Sequence, residues 1–126
     1  MTMLLDQLAD RRQFILYRLE PNKDDPQKTD KLPTHDATGG NIDAHDRAQR
    51  MLPAEAALWA RLWNAAKPPD VIGYGVGLVI FEGCGLFCID IDHARDANAG
   101  WVPHVPAFEA MFSGAARETS VSCTPV

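Results

Sequence analysis

Apolar residues gather in a few stretches of this chain, and their spacing differs from one stretch to the next. "QFILYRLE" (13–20) is a compact run of strand formers and predicts the first strand. "PAEAALWARLWNAA" (53–66) repeats Ala56, Trp59, Leu62, Trp63 and Ala66 at three- and four-residue intervals, the spacing of one helix face, with Pro53 suited to the first turn. Both tryptophans are expected as core anchors, with base stacking as the alternative. "GYGVGLVIFEGCGLFCIDID" (73–92) predicts two strands, near 75–82 and 86–92, joined by a tight turn at Gly83-Cys84-Gly85.

The weaker patterns fill in around these. Met3, Leu4, Leu5 and Leu8 lie on one side of a short helix over 2–11, and "IDAHDRAQRM" (42–51) suggests another with Asp43 as N-cap. "PAFEAMFSGAA" (106–116) predicts a short helix, and "ETSVSCTPV" (118–126) the start of a further strand. Residues 21–41 are polar and broken by Pro21, Pro26, Pro33 and Gly39-Gly40. They read as a long functional or mobile loop, or as a hairpin whose return strand passes Lys31-Leu32. The element order predicts an α+β fold in one domain spanning 1–126, with a mixed or antiparallel sheet packed by helices.

Composition narrows the class without naming a function. A chain of 126 residues, 46% apolar and 23% charged, has the make-up of a globular domain with its own core. No stretch approaches the roughly 20 apolar residues that cross a bilayer, so no membrane partner is expected. "MTMLLDQLADRR" does not read as a signal peptide, and three cysteines without a CxxC pair do not read as a disulfide framework. A cytoplasmic location is expected. Up to Lys67 ten basic residues face ten acidic ones, whereas only Arg95 and Arg117 face seven acids beyond it. That asymmetry fits a backbone-tracking surface beside a cation site, or a chance imbalance in a short chain.

The chemistry concentrates in "LFCIDID" (86–92). On a strand, alternation sets Leu86, Cys88, Asp90 and Asp92 on one face and Phe87, Ile89 and Ile91 on the other. The two carboxylates then stand roughly 7 Å apart. Like charges on a half-buried strand repel and lose water, a cost of several kcal/mol that a divalent cation removes. Hard oxygen ligands suit Mg²⁺ or Mn²⁺, and a carboxylate pair can serve phosphoryl or nucleotidyl transfer. The other reading ends the strand at Ile91 and sends both aspartates into solvent. "GYGVG" is not a dinucleotide fingerprint, because a strand rather than a helix follows it. His93 sits where it can join a metal site or act as a hydrogen-bonding spacer. His35, His45 and His104 lack ligand spacing, and no motif for covalent catalysis appears.

From Phe14 to Asp96 the chain resembles the amino-terminal primase–polymerase domain of phage and plasmid replication proteins, within the archaeo-eukaryotic primase superfamily. "FILYRLE" is similar to its opening strand, Lys31-Leu32-Pro33 to its Lys-x-Pro loop, and the helix around Trp59 and Trp63 to its Trp-containing helix. "GVGLVIFE" matches its "GxGxVF" strand, and "CIDIDHARD" its "hDhDH(C/A)RD" motif, the most specific of the five.

The resemblance implies the front part of a primase-type fold, with Asp90 and Asp92 as the metal-binding catalytic pair and Mg²⁺ or Mn²⁺ as cofactor. It implies a DNA template and nucleoside triphosphates as partners, and a replicative helicase domain as a further candidate. Lys31 is the candidate for phosphate or template contact. Arg18 and Arg95 are weaker electrostatic candidates, otherwise solvated surface charges. The family completes its site with a small-x-His motif and a further acid, and "AARETSVSCTPV" covers only the approach to them. The chain therefore reads as a partial domain, expected to be inactive or nearly so in primer synthesis. The alternative is a shortened primase-like module that binds nucleic acid or a partner without catalysis. A nucleotide-sugar transferase using DxD is disfavoured, since only about ninety residues precede the motif and such enzymes place a larger nucleotide-binding domain there.

Overall fold

The computed structural model describes residues 6–91, 94, 95, 98 and 100–115. The chain divides into two compact units, Leu8–Leu86 and Met1–Gln7 with Phe87–Val126. The fold class is α+β: among the described residues, an antiparallel three-stranded sheet and the helix Pro53–Ala65 lie in the first unit, and the helix His104–Met111 in the second.

Strand β1 (Phe14–Pro21) lies in the centre of the sheet, between β2 (Thr29–Thr34) and β3 (Gly73–Leu78), and pairs antiparallel with both. Its apolar opening is the deepest part of the core, with Leu16 fully buried and Phe14 and Ile15 nearly so. The polar stretch after β1 resolves into the hairpin, as one of its two sequence readings has it. Asn22 Oδ1 accepts the amides of Asp24 and Asp25, which turns the chain, and β2 returns with Lys31 opposite Leu19. A second tight turn follows, where His35 N–H donates to Gly40 O (2.7 Å).

Helix α1 (Pro53–Ala65) starts on Pro53, and Glu55 accepts the Leu52 amide at 3.4 Å. It packs against β1 and β3, with Ala56 and Ala60 the residues it buries, while Trp63 meets β3 from the side. Two alanines let the helix backbone approach the sheet closely, which leaves Trp59 and Trp63 half-buried on its flank. The expectation of tryptophan core anchors is corrected accordingly.

The predicted helix over 42–51 is also corrected. Only one 3₁₀ turn forms, Arg47–Gln49, capped by Asp46, whose Oδ1 accepts the Ala48 amide at 3.0 Å. Asp43 instead accepts the amide of His45 in a local turn. The reason lies two residues on: Met51 exchanges both backbone hydrogen bonds with Phe14, at 3.1 and 2.7 Å, so the chain must extend there. An available sheet edge outcompetes a short polar helix.

The glycine turn forms as expected, with φ of 83° at Gly83 and 78° at Gly85, values that suit glycine. The strand expected at 86–92 does not: among the described residues 86–91 none is in a strand. β3 ends at Leu78, and residues 79–82, which would pair with 86–89 across the turn, are not in a strand either, so no hairpin starts from it. At the start of β3, Asn64 of α1 accepts the Tyr74 amide (2.8 Å) and donates to the Tyr74 carbonyl (2.9 Å).

In the second unit, Arg95 and Trp101 form an antiparallel bridge, and Val102 N–H donates to Ala94 O at 2.8 Å. Helix α2 (His104–Met111) begins two residues before the expected start and buries Val105. Pro106 falls in its first turn, where an amide is not required. Of the helix expected over 2–11, residues 6–7 are helical, 8–10 form a turn that ends it early, and the part before residue 6 lies outside the described residues, as does the strand expected over 118–126. No described helix is long and apolar enough to cross a membrane.

Leu16→Ala is expected to destabilise the protein by about 2–5 kcal/mol, since the central strand cannot collapse onto the cavity. Urea denaturation monitored by tryptophan fluorescence measures it.

Candidate functional site

The candidate residues fall in both units. Arg18 and Lys31 belong to Leu8–Leu86, and Asp90, Asp92 and Arg95 to the other.

Arg18 is not the solvated charge that sequence allows. Its side chain is 13% exposed, and its guanidinium meets four parts of its own unit. Nε donates to Glu20 Oε1 (2.8 Å), Nη1 to Thr34 Oγ1 and Gly39 O (both 3.3 Å), and Nη2 to Asn41 Oδ1. Thr34 is itself buried at the end of β2. Arg18 thus fastens the central strand to β2 and to the turn 35–41, with four of its five N–H donors used within its own unit.

Trp63 closes the same turn from above. Its Nε1–H donates to Asp36 O at 2.7 Å, and its ring lies so near Gly39 that a Cβ there would stand 2.9 Å from it. Gly39 also has φ of 72°, so a glycine is required twice over. The other side of the Trp63 ring stacks on Tyr74 at 5.5 Å between centroids. Burial pushes the Tyr74 phenol above its ordinary range, with Arg18 opposing the shift and Asp70 and Glu20 adding to it. On the flank, Trp59, Leu62, Trp63 and Ala66 line an open apolar groove of about 220 Å³.

Lys31 lies on the other face of the sheet. Its Nζ stands 4.0 Å above the Tyr17 ring, a cation–π contact. Tyr17 can lie flat there because β3 presents glycine opposite it: a Cβ on Gly75 would come within 2.5 Å of the Tyr17 hydroxyl. The sequence marks this arrangement only through the Gly-x-Gly-x-Gly spacing of β3, and the role of Tyr17 was not read from it.

In the second unit Asp90 is exposed and lies outside any strand, as do the exposed Phe87, Cys88 and Ile89 around it. The alternation argument loses its premise here, because none of the described residues 86–91 is buried. Asp90 keeps its water and needs no cation to offset a desolvation cost. Asp92 and His93 lie outside the described residues. Arg95 sets its guanidinium over the Trp101 ring at 4.3 Å. Among the described residues, no three His, Cys, Asp or Glu side chains gather as a metal centre would require. The donor chemistry of Asp90 is that of a hard-cation ligand, and its exposure leaves the carboxylate accessible.

Comparison with family models, with curated proteins and with solved structures gives no match.

Arg18→Met is expected to cost about 2–3 kcal/mol, because four acceptors lose a charged donor. Urea denaturation gives the magnitude, and faster hydrogen exchange at the Gly39 amide locates the loss in the turn. The raised Tyr74 phenol predicts a pH effect as well. Its contribution is fully present below the unfolded phenol's value near pH 10 and is lost as pH rises through the folded value. Tyr74→Phe should flatten that alkaline decline in melting temperature, and an unchanged slope would assign it to other groups.

Proposed function

We propose that the chain carries the metal-ligand end of a primase–polymerase-type domain, acting in nucleotidyl transfer with a DNA template and nucleoside triphosphates. In this reading Asp90 and Asp92 hold Mg²⁺ or Mn²⁺, and Lys31 contacts phosphate or template backbone. A bound divalent ion would supply neutralisation of the triphosphate charge and activation of the attacking oxygen.

One observation carries the reading. A strand, a lysine-bearing return strand, a Trp-containing helix and a glycine-rich strand follow one another, and after a glycine turn comes an Asp-x-Asp-His whose first aspartate stands open to solvent. Fold class is consistent with it but does not select it, since α+β domains serve many functions. Two aspartates alone hold a divalent ion weakly, so metal binding is the property to test on these residues and primer synthesis is not expected of them by themselves.

Paramagnetic broadening provides the test. Mn²⁺ added to the ¹⁵N-labelled protein should broaden the amide signals of Asp90, Ile91 and Asp92 before others, and excess Mg²⁺ should restore them. Asp90→Asn with Asp92→Asn should weaken the effect by about tenfold or more, as both charges are removed. Broadening that begins at Asp24-Asp25 or Asp43 and bypasses Asp90 would remove the basis of the proposal.

A further inference from the structure

Helix α2 buries very little of itself. Of its eight residues, His104–Met111, only Val105 is buried. Its larger apolar side chains stay in solvent: Met111 is 71% exposed, and Phe108 and the C-cap residue Phe112 are exposed as well. Phe87, from the same unit, sets its ring edge-to-face with Phe112 at 5.8 Å between centroids and is still 72% exposed. Residues three and four apart are neighbours on a helix, so Phe108 adjoins Met111 and Phe112. The four side chains make one apolar patch.

An eight-residue helix does not hold together in water on its own. Protein helices are stabilised chiefly by the apolar face they bury, and α2 withholds three large apolar residues from burial. Exposed apolar residues scattered singly are ordinary on a protein surface. Three phenylalanines gathered with a methionine have instead the composition of an interface core.

Charge selects what covers the patch. Residues 87–126 carry five acids against two bases. Glu109 stands on α2 itself, and Asp90, three positions after Phe87, is exposed. Of the two bases, Arg95 has its guanidinium over the Trp101 ring. An anionic lipid surface or a nucleic-acid backbone would meet like charge here, and so would the same patch on a second copy of the chain. A cationic partner with an apolar face meets the opposite charge. Side chains on a helix surface interlock best with the rows of a second helix, and methionine adapts to the side chains it receives.

We propose that Phe87, Phe108, Met111 and Phe112 form the docking surface for a basic amphipathic helix of another protein. This surface is separate from nucleotidyl transfer and does not depend on a metal at Asp90.

Two synthetic peptides of about 14 residues provide the test, both made of leucine and lysine. One places its leucines on a single helix face, and the other has the same residues reordered so that no apolar face forms. Added to the ¹⁵N-labelled 126-residue protein, the amphipathic peptide should shift the amide signals of Phe87 and of residues 108–112 before others. It should bind about tenfold or more tightly than the reordered peptide. Phe87→Ser with Met111→Ser removes the two most exposed side chains, so the melting temperature should hold while affinity falls about tenfold or more. Should that variant fold poorly, Met111→Lys replaces it, since a cation suits a helix C-terminus and opposes the peptide.

Equal binding of the two peptides, equal binding by the variants, or shifts that bypass this patch overturn the proposal. A leucine–glutamate helix that binds as tightly as the leucine–lysine one refutes the choice of a basic partner. Sedimentation equilibrium of the protein alone should give the monomer mass, and a dimer that Met111→Lys dissociates gives the surface to a second copy instead. Phosphatidylglycerol vesicles should leave the protein in solution, and co-sedimentation that Phe87→Ser with Met111→Ser abolishes gives it to a membrane.

Discussion

A cation on the central strand organises much of the first unit. Arg18 comes from the middle of β1, where a charged side chain 13% exposed has to find acceptors or lose more than its burial returns. The acceptors are Glu20 on its own strand, Thr34 at the end of β2, and Gly39 and Asn41 in the following turn. Satisfying one guanidinium therefore draws together parts of the chain that are apart in sequence. Trp63 then closes over the turn and stacks on Tyr74, which connects the helix to the arrangement. Removing any of these acceptors leaves the others intact but the donor short, which is why such a network behaves as a unit.

The same demand for complete backbone pairing explains the points at which local pattern fails. Met51 pairs with Phe14, which ends any helix over 42–51. Asn64 takes both backbone groups of Tyr74, which ties α1 to the start of β3. Each is a single residue whose side chain or amide meets a partner ten or more positions away. Local propensity, worth a fraction of a kcal/mol per residue, does not override such contacts.

Arg18 and Arg50 illustrate how differently two arginines of one sheet unit can be employed. Arg18 donates from all three of its nitrogens and is a structural clamp. Arg50 stacks on Phe81 with one long hydrogen bond and an orphaned Nε–H. Composition treats them alike, as two of ten basic residues in the front of the chain. What separates them is the count of acceptors within reach, a property of packing alone.

By itself the sequence determined the strand at 13–20, the extent of the Trp-containing helix and the glycine turn, because each rests on a local rule: apolar spacing, turn chemistry or a proline at a helix start, while it left the stretch 21–41 open between a loop and a hairpin. It also set Asp90 and Asp92 two positions apart, the spacing behind the expectation of a cation site. Tertiary structure alone decided what Asp90 faces. Alternation in "LFCIDID" predicts one face only where the residues form a strand, and β3 stops at Leu78, short of the turn from which a hairpin would start. Asp90 is consequently exposed rather than half-buried, and the electrostatic case for a metal there becomes one of accessible donors instead of desolvated charge. No spacing rule announces the burial of Arg50 against Phe81 either, since burial of a charge depends on which distant surfaces close around it.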